Sequence, residues 1–194
     1  MIIKKQISVL FVLFALCSCE IKFVADPINP RVLKYTHQGY DVSGALINDT
    51  IWRSNLEGGF WGGVSNKPMI TASSIGDSVV FSFDDNTPMS FHFSGIDIKD
   101  FEDLKKLKGK KIILDGDENY ASYNYDRYYT PIIKGSGQVY FREVSRDNDQ
   151  VGVNDYIISG TFYMDTRDEN GEPIEIRYGR FDYEIDISSN FILR

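Results

Sequence analysis

From residue 41 onward, apolar residues recur at every second position. Val79, Phe81 and Phe83 share one phase, and Met89, Phe91 and Phe93 share the next, with the turn signal Asp84-Asp85-Asn86-Thr87-Pro88 between them. A period of two predicts strands with one face in a core and one in water. In the C-terminal third, Ile158, Phe162 and Met164 fall on one face with Gly160 among them. Asn170-Gly171 is a turn dipeptide, and Ile174, Ile176 and Tyr178 alternate after it. Past Gly179 the phase flips to Phe181, Tyr183, Ile185 and Ile187. One extra residue at a glycine is the mark of a β-bulge, so a long hairpin with a bulged second strand is expected.

Further strands are predicted at Ala45–Ile47, Ile51–Arg53, Gly58–Gly63, Met69–Ala72, Lys111–Leu114, Ala121–Tyr125 and Val139–Val144. One stretch departs from the alternation. Asp97 to Lys108 places Ile98, Phe101, Leu104 and Leu107 near helical spacing before Gly109, with Asp97 as a candidate cap. The expected fold is all-β: an antiparallel β-sandwich or partly open barrel of about ten strands, with one short helix near 98–107.

The N-terminus reads differently. Lys4 and Lys5 precede an uncharged apolar stretch, Ile7 to Leu16. At about ten residues it suits a signal-peptide core and falls short of the roughly twenty needed to span a bilayer. Leu16-Cys17-Ser18-Cys19 then resembles a lipobox. The expected layout is a lipoprotein signal peptide over 1–18, a lipidated Cys19 with a Pro27- and Pro30-containing tether to residue 40, and a single β domain over 41–194. Two or more acyl chains hold a protein stably on a membrane. The chain has two cysteines, Cys17 and Cys19, so the exported domain has no disulfide and relies on its core.

Removing Lys4 and Lys5 leaves 19 basic against 28 acidic residues, a net charge of −9. That argues against nucleic acid as a partner and against electrostatic adhesion to anionic lipid. The membrane partner is then the lipid on Cys19.

The stretch from Ile158 to Ile185, with Gly160-Thr161-Phe162 and Gly179-Arg180-Phe181, resembles a recurring C-terminal motif of small uncharacterised Bacteroidota lipoproteins, in domain families of unknown function. Ala45, Ile47, Asn48 and Trp52 resemble a short opening motif common in them. The resemblance implies an all-β domain anchored in the cell envelope, at the outer membrane, and carries over no catalytic residue. Surface-displayed relatives often bear an acidic cluster after the lipidated cysteine; here Glu20 is followed by Ile21-Lys22-Phe23.

Motifs for common chemistries are absent: there is no G-x-S-x-G, H-E-x-x-H, P-loop or G-x-G-x-x-G. His37 and His92 are the two histidines. His92 lies out of phase with its apolar neighbours and is expected on the surface. Asp115, Asp117, Asn119 and Asp126 echo a calcium loop, but Tyr120 stands where such a loop has glycine; a polar turn explains the same residues. Tyr120, Tyr123, Tyr125, Tyr128 and Tyr129 crowd ten positions. Exposed aromatics of this kind stack on sugar rings or anchor a protein partner, whereas cross-strand pairing is the structural alternative. Trp61, between glycine pairs at 58–59 and 62–63, is expected at a tight core corner.

The reading that best fits these features is a non-enzymatic envelope lipoprotein binding a glycan, protein or small ligand, without a cofactor, through Tyr123, Tyr125, Tyr128 and Tyr129. The alternatives are a carboxylate-based glycan hydrolase, which needs two acids about 5–9 Å apart, and a structural accessory of an envelope complex.

Overall fold

The computed structural model describes residues 26–27, 29–54, 68–73, 77–83, 89–123, 133–146, 155–168 and 170–194. Cys19, the Trp61 glycine segment, Tyr125, Asp126, Tyr128 and Tyr129 lie outside the described residues.

The strands form two sheets. The larger comprises β1 (Val42–Ile47), β2 (Thr50–Arg53), β6 (Lys111–Asp115), β8 (Ser136–Arg146), β9 (Tyr156–Arg167) and β10 (Pro173–Ile185), in the order β2-β1-β10-β9-β8-β6. The smaller comprises β3 (Met69–Ala72), β4 (Val79–Phe83), β5 (Met89–Phe93), β7 (Tyr120–Tyr123) and β11 (Phe191–Leu193), in the order β11-β3-β4-β5-β7. Among the described residues all pairings are antiparallel except that of β11 with β3. This is the sandwich arrangement among those expected; the sheets do not close into a barrel.

The core lies where the predicted apolar phases meet. Phe81 packs against Phe141 and Phe181 at centroid distances of 5.9 and 5.2 Å, and Phe91 against Phe162 at 5.2 Å. Tyr183 enters the same interior and donates its hydroxyl to Ser43 Oγ at 2.6 Å. No buried side-chain polar atom among the described residues lacks a partner.

The helical segment is a 3-10 helix at Phe101–Leu107, and its cap is Asp100 rather than Asp97. Asp100 accepts a hydrogen bond from Asp103 N at 3.0 Å. Ile98, Phe101, Leu104 and Leu107 are spaced by three, the 3-10 repeat, and all four are buried. The helix closes one end of the sandwich, with Phe101 against Tyr156 and Phe191.

The predicted bulge is present. Ile176 pairs with Met164 and Gly179 with Phe162, so Arg177 and Tyr178 together stand opposite Tyr163. Tyr178 therefore does not continue the inward phase of Ile174 and Ile176; it points outward, with φ at +55°. Ile187 also departs from expectation: β10 ends at Ile185, and Ile187 is exposed. A second bulge displaces Arg142 in β8, between Phe141 and Glu143.

The register explains the paired glycine motifs. Phe162 lies opposite Gly179, and Phe181 opposite Gly160. A Cβ on Gly160 would come within 2.5 Å of the Phe181 ring, and one on Gly179 within 2.5 Å of the Phe162 ring. Each strand thus supplies a glycine beneath the other's phenylalanine.

Residues 26–41 correct the tether expectation in their described part: they form an arm docked on the outer face of the larger sheet. Asp182 is 1% exposed, and its carboxylate accepts hydrogen bonds from the Gln38 and Gly39 amides at 3.0 and 2.8 Å. Tyr35 and Ser159 share a hydroxyl hydrogen bond of 2.9 Å. Arg180 pairs with Asp26 at 2.5 Å and donates to the Leu33 carbonyl. Leu33 sits over Gly44, where an added Cβ would meet it at 3.2 Å. Val32, Leu33 and Leu46 are buried outside the main core.

Candidate binding face

The arm covers one end of the larger sheet's outer face and leaves the other bare. Side chains on directly opposed positions of neighbouring strands share a face. Ile113 opposes Gln138, Gln138 opposes Tyr163, the bulge carries Tyr178 opposite Tyr163, and Leu46 opposes Ile51. These positions form a row that is exposed from β6 to β10, is interrupted at Leu46, which is 2% exposed, and resumes at Ile51. Along it Ile113 is 59% exposed, Tyr163 42%, Tyr178 56% and Ile51 45%. The four strands of its continuous part span about 14 Å at the usual spacing. The inward neighbours Phe162, Met164, Leu114 and Ile176 are buried, so the apolar side chains of the row are surplus to the core.

Tyr178 is the most informative member. A non-glycine residue with positive φ is uncommon, and a bulky one is an outlier. Such a conformation costs on the order of 1–3 kcal/mol. A glycine would occupy it without that penalty. Here a large aromatic is held there, in water, across from a second tyrosine.

A polar row runs beside the aromatic one. Asp115, Ser136, Asp165 and Glu175 oppose one another in turn across four strands. Arg177 ties two of them together, at 2.6 Å from Asp165 and 3.5 Å from Glu175, and also donates to the Met164 carbonyl. This row borders a groove of about 670 Å³ at the sheet's end, lined by Lys134, Ser136, Asp165, Thr166, Arg167 and Glu175 among others. The result is a narrow aromatic strip flanked by carboxylates, a guanidinium, an amide and a hydroxyl.

The tyrosines singled out from the sequence are placed otherwise. Tyr123 faces inward and packs half-buried against the core, because its register partner Met89 belongs to the inward phase. It is therefore not part of an exposed strip. Tyr120 is on the outer side of the smaller sheet, stacked on His92 at 4.3 Å with Lys134 Nζ 4.8 Å above its ring. His92 faces outward, as its phase required, but is half-buried instead of free on the surface. Burial, with Lys134 nearby, lowers its pKa to about 4. Ser90 Oγ lies 3.1 Å from His92 Nε2 and 2.7 Å from Ser122 Oγ. His37 stacks on Tyr35 in the arm.

The acidic loop is a turn. Asp115 Oδ1 accepts hydrogen bonds from the amides of Asp117 and Asn119, at 2.8 and 3.0 Å. These bonds, the Asp117 one foremost, hold the Asp115 carboxyl below its ordinary range. Asn119 Oδ1 accepts from Ser94 N, and Asp117 pairs with Lys134. The loop's oxygens thus serve local structure, and among the described residues no cluster of three His, Cys, Asp or Glu side chains is arranged to hold a metal.

Tyr163, Tyr178, Ile113 and Ile51 were not singled out from sequence. The available signal was a large apolar residue out of phase with buried neighbours, as Tyr163 is between Phe162 and Met164. In comparisons with known proteins the chain matches no family model, no curated protein and no solved structure.

Proposed function

We propose that this chain is an envelope-anchored lipoprotein whose β-sandwich binds a glycan across the outer face of its larger sheet. The observation that carries this reading is Tyr178, exposed and held at positive φ opposite Tyr163. The bulge calls for a left-handed residue but not for a tyrosine, since glycine adopts that φ freely, whereas two adjacent aromatic residues beside hydrogen-bonding groups match the alternating apolar and hydroxyl surfaces of sugar rings. The strip is one residue wide and bordered by charge, which suits a thin polymer better than the apolar centre of a protein interface.

Binding fits better than hydrolysis. Asp165 and Glu175 stand on opposed strands, at a spacing compatible with a catalytic pair. A glycosidase acid, however, works from a desolvated pocket. Both side chains here are more than half exposed and share Arg177. Their role in this reading is to accept hydrogen bonds from hydroxyls.

The test is a glycan array followed by titration of the best hit with wild type, Tyr163→Ala and Tyr178→Gly. Each variant is expected to keep its fold and lose about tenfold in affinity. Absence of any glycan hit, or full affinity in both variants, overturns the proposal.

A further inference from the structure

We infer that the aromatic strip is turned toward the bilayer, so that its glycan is one displayed on the membrane surface, such as the sugar headgroup of a glycolipid. This rests on the glycan reading and on lipidation at Cys19. Its own ground is the arm. Asp26 is buried and paired with Arg180, an outward-facing residue near the middle of the larger sheet. The chain therefore joins the domain on the same face that carries the strip. Asp26 lies seven positions after Cys19, a reach of at most about 25 Å even when fully extended.

That reach favours one orientation. Passing from Arg180 to the smaller sheet's outer face means crossing two strand spacings to the β2 edge, then the separation of the sheets. Together these are about 20 Å, before the side-chain layers on either side are added. The leash is used up before the smaller sheet could lie against the bilayer with the larger one facing away. Charge sharpens the choice of partner. A domain of net charge −9 is repelled by anionic headgroups, so an uncharged sugar headgroup suits the strip better than an anionic lipid.

The orientation can be measured without any glycan. The lipidated full chain is placed in phosphatidylcholine vesicles containing a lipid with a nitroxide headgroup. A fluorophore is attached at Gln138→Cys, on the strip side, or at Thr71→Cys, on the outer side of the smaller sheet. At least threefold stronger quenching at 138 than at 71 is expected, and a twenty-residue Gly/Ser insertion after Phe23 should abolish the difference. Equal quenching in the chain of native length, stronger quenching at 71, or failure of the protein to associate with the vesicles overturns the inference. The array result on the soluble domain is independent, so failure here and failure of glycan binding are told apart.

Discussion

The two halves of the larger sheet's outer face are built on the same strands yet finished in opposite ways. Under the arm, Ser159, Arg180 and Asp182 all have partners supplied by residues 26–39, and Asp182 is almost inaccessible. Beyond the arm, Ile51, Ile113, Tyr163 and Tyr178 stand in water. Each half also has its bulge. The β8 bulge presents Arg142, whose guanidinium lies 4.6 Å over the Tyr35 ring of the arm. The β10 bulge presents Tyr178 to solvent, 56% exposed. Where the chain closes its own surface it does so with matched polar pairs. The aromatic residues left open beside that surface are the ones the proposed glycan reading uses.

The comparison can be broken at several depths. The deepest change is Gly160→Ala, beneath both halves. The new Cβ would lie 2.2 Å from the Tyr140 carbonyl and 2.5 Å from Phe181, and a loss of about 4 kcal/mol is expected on urea unfolding. A loss under about 1 kcal/mol would show that the glycine–phenylalanine exchange does not fix the register.

Asp182→Ala acts on the covered half alone. It strips two amides of their acceptor in a buried place, for an expected cost of about 3 kcal/mol. Hydrogen exchange should accelerate at Gln38 and Gly39 well beyond the change in β4 and β5. Uniform acceleration would mean that the arm has no separate docking energy.

The smaller sheet provides a reference outside both halves. His92 has a folded-state pKa of about 4 against 6.5 unfolded. As pH falls from about 6.5 to 4 the unfolded chain takes up a proton that the native state refuses, so stability falls across that window and levels off below it. Partial contact of the ring with water trims this to about 2 kcal/mol. His92→Gln should flatten that segment of the stability–pH curve; an unchanged curve would assign the slope to other groups.

The smallest effect has the opposite sign. Tyr178→Gly relieves the positive φ and should stabilise the fold by about 1 kcal/mol while weakening glycan binding. Destabilisation instead would mean that the tyrosine serves the fold.

Much of the sandwich was legible because apolar alternation is a local property. Met69–Ala72, Val79–Phe83 and Met89–Phe93 coincide with β3, β4 and β5, and the phase flip at Gly179 located the bulge. The short helix was visible too, although its 3-10 form was not specified and its cap was misplaced by three residues. The docked arm was not legible. Its two prolines and lack of period resemble a spacer, and its anchors are buried hydrogen bonds to Asp182 and Ser159, more than a hundred positions away. The candidate site was hidden for a similar reason. Each strand contributes one or two residues to the strip, so no local window contains it. Tyr120 to Tyr129 drew notice because they are adjacent in sequence, whereas Tyr163 and Tyr178 become neighbours through register.

The one parallel pairing among the described residues has a bearing on how the chain matures. Ile70 receives Phe191 as its partner, and Ala72 receives Leu193, with the Arg194 amide bonded to the Ala72 carbonyl at 3.0 Å. A nascent chain halted before Phe191 would therefore carry β3 as a naked border, open to pairing with other molecules. Synthesis proceeds from the N-terminus, so β3 waits for a partner more than a hundred residues further along the chain, and that side of the smaller sheet seals late. Phe191–Leu193 act in effect as a clasp, and removing them should leave β3 prone to pair with other molecules.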